Sequence, residues 1–335
     1  MLKKNTVFVI GAGASHEFGL PVGTELAIAI SEKLDVRFDD FGQKSVSGDL
    51  DLFRNVSNGR DAGVMQQAAW LIRDGIILAN SIDDFLHVHR HDEEVVQYGK
   101  AAIVKCILEA ERSSKLHYDQ SQPGASINFR GCADTWLVKL MRRLDSQLPH
   151  SDRAKLFDKC AFVVFNYDRC IEHFFINALQ RFYRIGLDEA QQIVASAKIY
   201  HAYGSTGQIA AVSPSVPFGA SRTDYCGIGT SSIKTYTETV QTDHIQEVIF
   251  NAQQIVFLGM AYHDQNLQLL AKPNTLEIKT VIGTAYRRSA GDVEDITNQI
   301  AAWGKPDFQS TLRKHIRLNN DVPATKIFDD YSRSL

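Results

Sequence analysis

The stretch Asn5-Thr6-Val7-Phe8-Val9-Ile10-Gly11-Ala12-Gly13-Ala14-Ser15 decides how the rest of the chain is read. Its first half is a continuous β-branched and aromatic run, as expected of a parallel strand covered on both faces. Its second half is a glycine turn leading from strand to helix. Such a turn needs glycine where φ is positive or where a phosphate must approach the backbone, and the helix that follows offers free N–H groups to a pyrophosphate. Gly11 and Gly13 fit the first two glycines of the dinucleotide fingerprint, whereas the third, expected at position 16, is His16. On these residues alone the loop is either a phosphate cradle or a tight turn. A helix is expected from about Thr24 to Leu34, with Thr24 as candidate N-cap.

Working outward, strand-like runs return at Ala161 to Phe165, Ile199 to Tyr203, Gln254 to Gly259 and Lys279 to Gly283. Helical segments lie between them at about 168–183, 187–197, 242–252 and 263–271. Strand alternating with helix means parallel βαβ units, hence an α/β fold with a doubly wound, Rossmann-like parallel sheet. From about Asp35 to Asn58 the sequence is polar and Gly-rich, and reads as a loop. Residues 62–118 and 131–148 are helical in period, 119–129 is a loop, and nothing between 36 and 155 reads as a strand. The expected division is therefore a Rossmann-like domain of residues 1–35 plus 155–330, interrupted by a mainly helical insertion, 36–154. Residues 205–235, rich in Ser, Thr, Gly and Pro, form an irregular connection long enough to expect a function for it.

Composition narrows the function classes. A chain of 335 residues with 44% hydrophobic and 22% charged residues is ordinary globular protein. A net charge of −3 argues against a dedicated nucleic-acid binder, and Lys139, Arg142 and Arg143 read as a solvated helix face. Cys106, Cys132, Cys160, Cys170 and Cys226 contain no CxxC pair, so no disulfide framework or thiolate zinc site is expected. Asp84, His87 and His91 would share one face of a continuous helix, but no further ligand accompanies them and no metal is expected. No run reaches the ~18 apolar residues of a membrane span, and Val7 to Ile10 is too short for a signal peptide. A cytoplasmic protein is the expectation.

Four elements carry a resemblance to a known family. Gly11-Ala12-Gly13-Ala14-Ser15 followed by Gly19-Leu20-Pro21 resembles the opening of the sirtuins. Phe165-Asn166-Tyr167-Asp168 is similar to their Gln-Asn-Ile-Asp, and His201-Ala202-Tyr203-Gly204-Ser205 to their His-Gly-Ser/Thr. Ile255 to Gly259, continued by Met260-Ala261-Tyr262-His263-Asp264, looks like the adenosine-ribose turn of the bacterial sirtuin-like group. The zinc ribbon of the deacylases is missing, and Val22-Gly23-Thr24 stands where they carry Asp-Phe-Arg. These departures are those of the zinc-less bacterial branch, whose members hydrolyse NAD as effectors of antiphage defence.

The resemblance implies an NAD glycohydrolase that releases nicotinamide and ADP-ribose, with NAD as substrate and no zinc. It places the cofactor on Gly11, Ala12, Gly13, Ala14, Ser15, Gly204 and Gly259, and the chemistry on Asn166, Asp168, His201 and Tyr203. Asn166 would orient a water or ribose hydroxyl, and Asp168 would accept from the nicotinamide carboxamide or merely cap a helix. His201 is the candidate general base or a core histidine; Tyr203 holds the position of the deacylases' catalytic histidine. On one strand the two would face a common pocket. Glu17, Asp83 and Asp264 are further candidates, although Ser81 as N-cap explains the 81–86 segment equally well. Restraint by homo-oligomerisation or by a ring-forming DNA-translocating ATPase is implied by analogy. The alternatives are an NAD or ADP-ribose sensor without turnover, and a deacylase or ADP-ribosyltransferase, which the missing zinc ribbon disfavours.

Overall fold

In a computed structural model, which describes residues 2–38, 45–119, 121–122, 124–209, 215–221, 224–234, 238 and 242–335, Thr6–Ile10 forms strand β1 with all five side chains buried. Five further strands join it: β2 (Cys160–Val164), β3 (Lys198–His201), β4 (Gln254–Leu258), β5 (Thr280–Thr284) and β6 (Ile316–Asn319). All pairings are parallel, and the order is β3-β2-β1-β4-β5-β6. This is the doubly wound Rossmann order. The strand order reverses between β1 and β4, so a crevice opens outside their carboxyl ends, where such sheets bind ligands.

Alternation along the central strands feeds two cores. Val7, Val9, Ile255 and Phe257 face the helices Gly23–Leu34, Ala62–Gly75 and Glu93–Ser113. Phe8, Ile10, Val256 and Leu258 face Trp136–Asp145, Cys170–Tyr183 and Ala324–Asp330. The stretch 36–154 therefore covers both faces of the sheet: its helices up to Ser113 pack on one, and Leu116 onward on the other.

Several local expectations change. The helix Gly23–Leu34 is capped at Val22, whose N–H donates to Glu25 Oε2 at 2.9 Å, so Thr24 lies inside the first turn. The region expected as loop from Asp35 to Asn58 contains an antiparallel pair, Arg37–Phe38 with Ser45–Ser47. It also contains a helix, Leu50–Val56, capped by Asp49. β6 and the helix Ala290–Ala301 were not read from sequence. The irregular connection after β3 includes a helix, Asp224–Ser232, and several of its residues lie outside those described. The helix Ile82–Val88 ends before His91, so Asp84, His87 and His91 do not line one helix face. Among the described residues no helix is long and apolar enough to cross a membrane.

Candidate functional site

The glycine turn is built by contact with β4. Gly11 N–H donates to the Leu258 carbonyl at 2.9 Å, and Gly13 N–H to the Gly259 carbonyl at 3.0 Å. A Cβ on Gly11 would lie 2.5 Å from Gly259 O, one on Gly13 3.0 Å from Gly259 Cα, and one on Gly259 would overlap the Ala14 nitrogen. Gly259 also has φ +62, which disfavours any side chain there. Gly13, in contrast, is not left-handed; what excludes a side chain is the backbone opposite. The glycines thus bring the β1 and β4 turns together at the switch point. Beyond them Ala12–Ser15 makes one helical turn, continued by a 3₁₀ turn, His16–Phe18.

Asn166 closes the other side. It follows β2, is buried, and its Nδ2 donates to the buried Ser15 Oγ at 2.9 Å. Its carbonyl accepts from His201 Nδ1 at 3.2 Å, while His201 Nε2 meets Glu172 Oε1 at 2.8 Å. Burial disfavours charge on both partners, but their mutual attraction and hydrogen bond outweigh it. The His201 pKa is held above the usual imidazole value and that of Glu172 below the usual carboxylate value. In this ion pair both imidazole nitrogens donate, and neither offers a lone pair to a water.

Asp168 Oδ1 accepts from Cys170 N–H at 3.1 Å, the first N–H of the helix Cys170–Tyr183, whose N-cap residue is Arg169. Tyr203 does not share a pocket with His201. β3 ends at His201 and the chain turns, so Tyr203 enters the opposite core, edge-on to Phe165, with its hydroxyl donating to Asn266 Oδ1 at 2.6 Å. His201 and Glu172 instead border a cavity of about 440 Å³ beside β3, which also touches Gly204 but none of Gly11 to Ser15. Gly204 has φ +72 and sits against the Ser232 carbonyl.

The secondary candidates have structural partners. Glu17 accepts from Trp136 N–H at 3.1 Å and Thr325 N–H at 2.7 Å, so it caps two helices; burial raises its pKa. Asp264 accepts from Gln299 at 2.9 Å. Ser81 caps its helix as expected, yet Asp83 also reaches Tyr167, whose hydroxyl donates to it. Burial pushes the Asp83 pKa up to about 6. Sequence reading missed the ion pair of Arg169 and Glu111, both fully buried. Arg169 Nε donates to Glu111 Oε1 at 3.0 Å, and its other nitrogens hold the carbonyls of Gly207, Val216 and Pro217. Cys106, Cys132, Cys160 and Cys170 are free and buried, and the side chain of Cys226 lies outside the described residues. Among the described residues no three His, Cys, Asp or Glu are placed to hold a metal ion.

No family model and no curated protein matches the chain. Among solved structures it is similar, at 11% identity and a TM-score of 0.39, to a mutant Sir2 homologue in complex with 2′-O-acetyl ADP ribose. That match covers 99% of this chain and 92% of the other. A Sir2 homologue–NAD complex matches at 11% identity and a TM-score of 0.38, covering 99% and 89%. The fold rests on the strand order, not on this likeness.

Proposed function

We propose that this sirtuin-like chain binds NAD across the switch point and hydrolyses its N-glycosidic bond to nicotinamide and ADP-ribose. The observation that supports this best is the buried hydrogen bond from Asn166 to Ser15, which ties the β2 turn to the glycine turn at the carboxyl edge of the sheet. In this reading the pyrophosphate lies along Gly11 to Ser15, with the Gly204 and Gly259 turns beside it. Asn166 and Asp168 then stand beside the nicotinamide ribose with His201 behind Asn166, while Tyr203, in the opposite core, takes no part.

Cleavage passes through an oxocarbenium-like state, with nicotinamide leaving as a neutral base and water adding its oxygen to the anomeric carbon. Asn166, with donor and acceptor on one amide, orients that water. His201 fixes the Asn166 backbone, and must leave its Nε2 proton on the Glu172 carboxylate and part from it before that nitrogen can take the proton released by the water. By the same resemblance, the division into 1–35 plus 155–330 and 36–154 separates NAD binding from a helical cover. The chain would then be a cytoplasmic antiphage effector, restrained by self-assembly or by a ring-forming DNA-translocating ATPase. Incubating the purified chain with NAD and measuring nicotinamide tests the activity; no release, alone or with such an ATPase, would overturn it.

A second reading, an NAD or ADP-ribose sensor without turnover, is favoured by one observation: in the closed His201–Glu172 pair the imidazole has no lone pair to offer a water. Calorimetric NAD binding with no nicotinamide release would select it.

A further inference from the structure

The amino ends of β5 and β6, at the opposite edge of the sheet from the glycine turn, border a second cavity. It measures about 290 Å³ and is lined by Lys3, Lys4, His315, Arg317 and Arg333, with Thr280 and Ile282 as its floor. Among the described residues no aspartate or glutamate lines it. His315 and Arg317 are two residues apart at β6, and Ile282 pairs with Arg317 across the ladder, so the cations and the floor converge on one face. The lysines approach from the chain segment before β1: Lys4 Nζ donates to Thr280 Oγ1 at 3.0 Å, and Lys3 Nζ to the Arg333 carbonyl at 3.3 Å. Both partners are neutral oxygens, and among the described residues no ion pair compensates either ammonium.

Four permanent cations around one small concavity repel one another, and the chain as a whole carries −3. Such a cluster lowers its energy by taking up an anion, and a concave wall focuses its field. Two arginines with flat forks and two lysine ammoniums suit phosphate oxygens, the forks binding two oxygens at once. The small size of the concavity favours a compact ligand over a strand of nucleic acid, which needs an extended stripe.

We propose that this pocket is a second anion site, which binds a soluble oligophosphate such as pyrophosphate or the polyphosphate tail of a nucleotide. It lies apart from the proposed NAD site and does not depend on it.

The test is calorimetry of the full chain with tripolyphosphate, inorganic phosphate and a mixed-sequence DNA duplex, at ~0.15 M salt, where exposed charges are screened beyond ~8 Å. Tripolyphosphate should bind more tightly than phosphate. Arg317→Gln should weaken it at least ~tenfold, the loss of one charge-assisted contact. Lys4→Gln should also weaken it, whereas Asn166→Ala should leave it unchanged. Arg317 is exposed, so its replacement leaves the fold intact, which far-ultraviolet dichroism verifies. The proposal is overturned by no tripolyphosphate binding, by equal affinity in Arg317→Gln, or by tighter binding of the duplex than of tripolyphosphate.

Discussion

Asn166 donates to Ser15 and also carries the carbonyl that His201 holds, so its side chain and backbone have separable jobs. Asn166→Ala removes only the first. Nicotinamide release should fall by at least ~10², within the range of groups that assist proton transfer in a transition state. Calorimetric NAD binding should persist; turnover within a few-fold of wild type would remove Asn166 from the mechanism. His201→Ala acts differently, because it strands the Glu172 carboxylate and should destabilise the protein by about 3 kcal/mol near pH 6. The His201 pKa is raised, so its contribution is complete below the ordinary imidazole value of about 6.5 and fades as pH climbs through the higher folded-state value. The Glu172 pKa is lowered, so its share is complete above about 4.3 and is lost as pH falls through a lower value. Denaturation of wild type and His201→Ala should therefore differ most between about pH 4.5 and 6.5 and converge toward pH 9. That Asn166 stands in the turn after a strand is legible in sequence, because a motif within one turn carries it. Glu172 was not: it lies 29 residues from His201, and only the packing of helix on strand brings the two together.

Between elements, the dominant polar contact is the Arg169–Glu111 pair, which pins the connection after β3 to the helix Glu93–Ser113. Gly219 N–H also donates to Glu111, at 2.9 Å. Removing one partner leaves a charge buried without compensation. Arg169→Met should lower unfolding free energy by about 3–5 kcal/mol, and Arg169→Met with Glu111→Leu should recover a large part of it. A double variant no more stable than the single one in urea would mean that the carbonyls of Gly207, Val216 and Pro217, not the ion pair, dominate. Periodicity correctly placed residue 111 on a helix and residue 169 near the start of another. It could not show that both charges point inward, because a single Glu or Arg in a helical run reads as solvated surface. β6 escaped notice for a related reason: Ile316-Arg317-Leu318-Asn319 is a short edge strand with no continuous apolar run.

At the scale of the whole molecule, the sheet is two half-sheets that meet where β1 runs beside β4, and their turns interlock through glycines. The doubly wound order followed from strands alternating with helices in sequence. The interlock did not, since a glycine facing phosphate and one facing backbone look alike in one dimension. Gly11, Gly13 and Gly259 pack backbone against backbone, and a ligand role for the same turn would rest on that packing. Gly259→Ala separates the two halves most directly. Its methyl would overlap the Ala14 nitrogen and would need φ near +62. Overpacking and left-handed strain together should remove at least ~3 kcal/mol, or about 6 °C or more in Tm for a chain of this size. NAD affinity should fall with it, because the β1 turn shifts with the β4 turn. Gly23→Ala is the matched control: a Cβ there meets nothing within 4 Å, and the site is the first turn of a helix, so Tm should hold or rise slightly. Should Gly259→Ala melt like Gly23→Ala, the turns of the two half-sheets would not be coupled through that glycine, and the proposed NAD site would have to rest on the β1 turn alone.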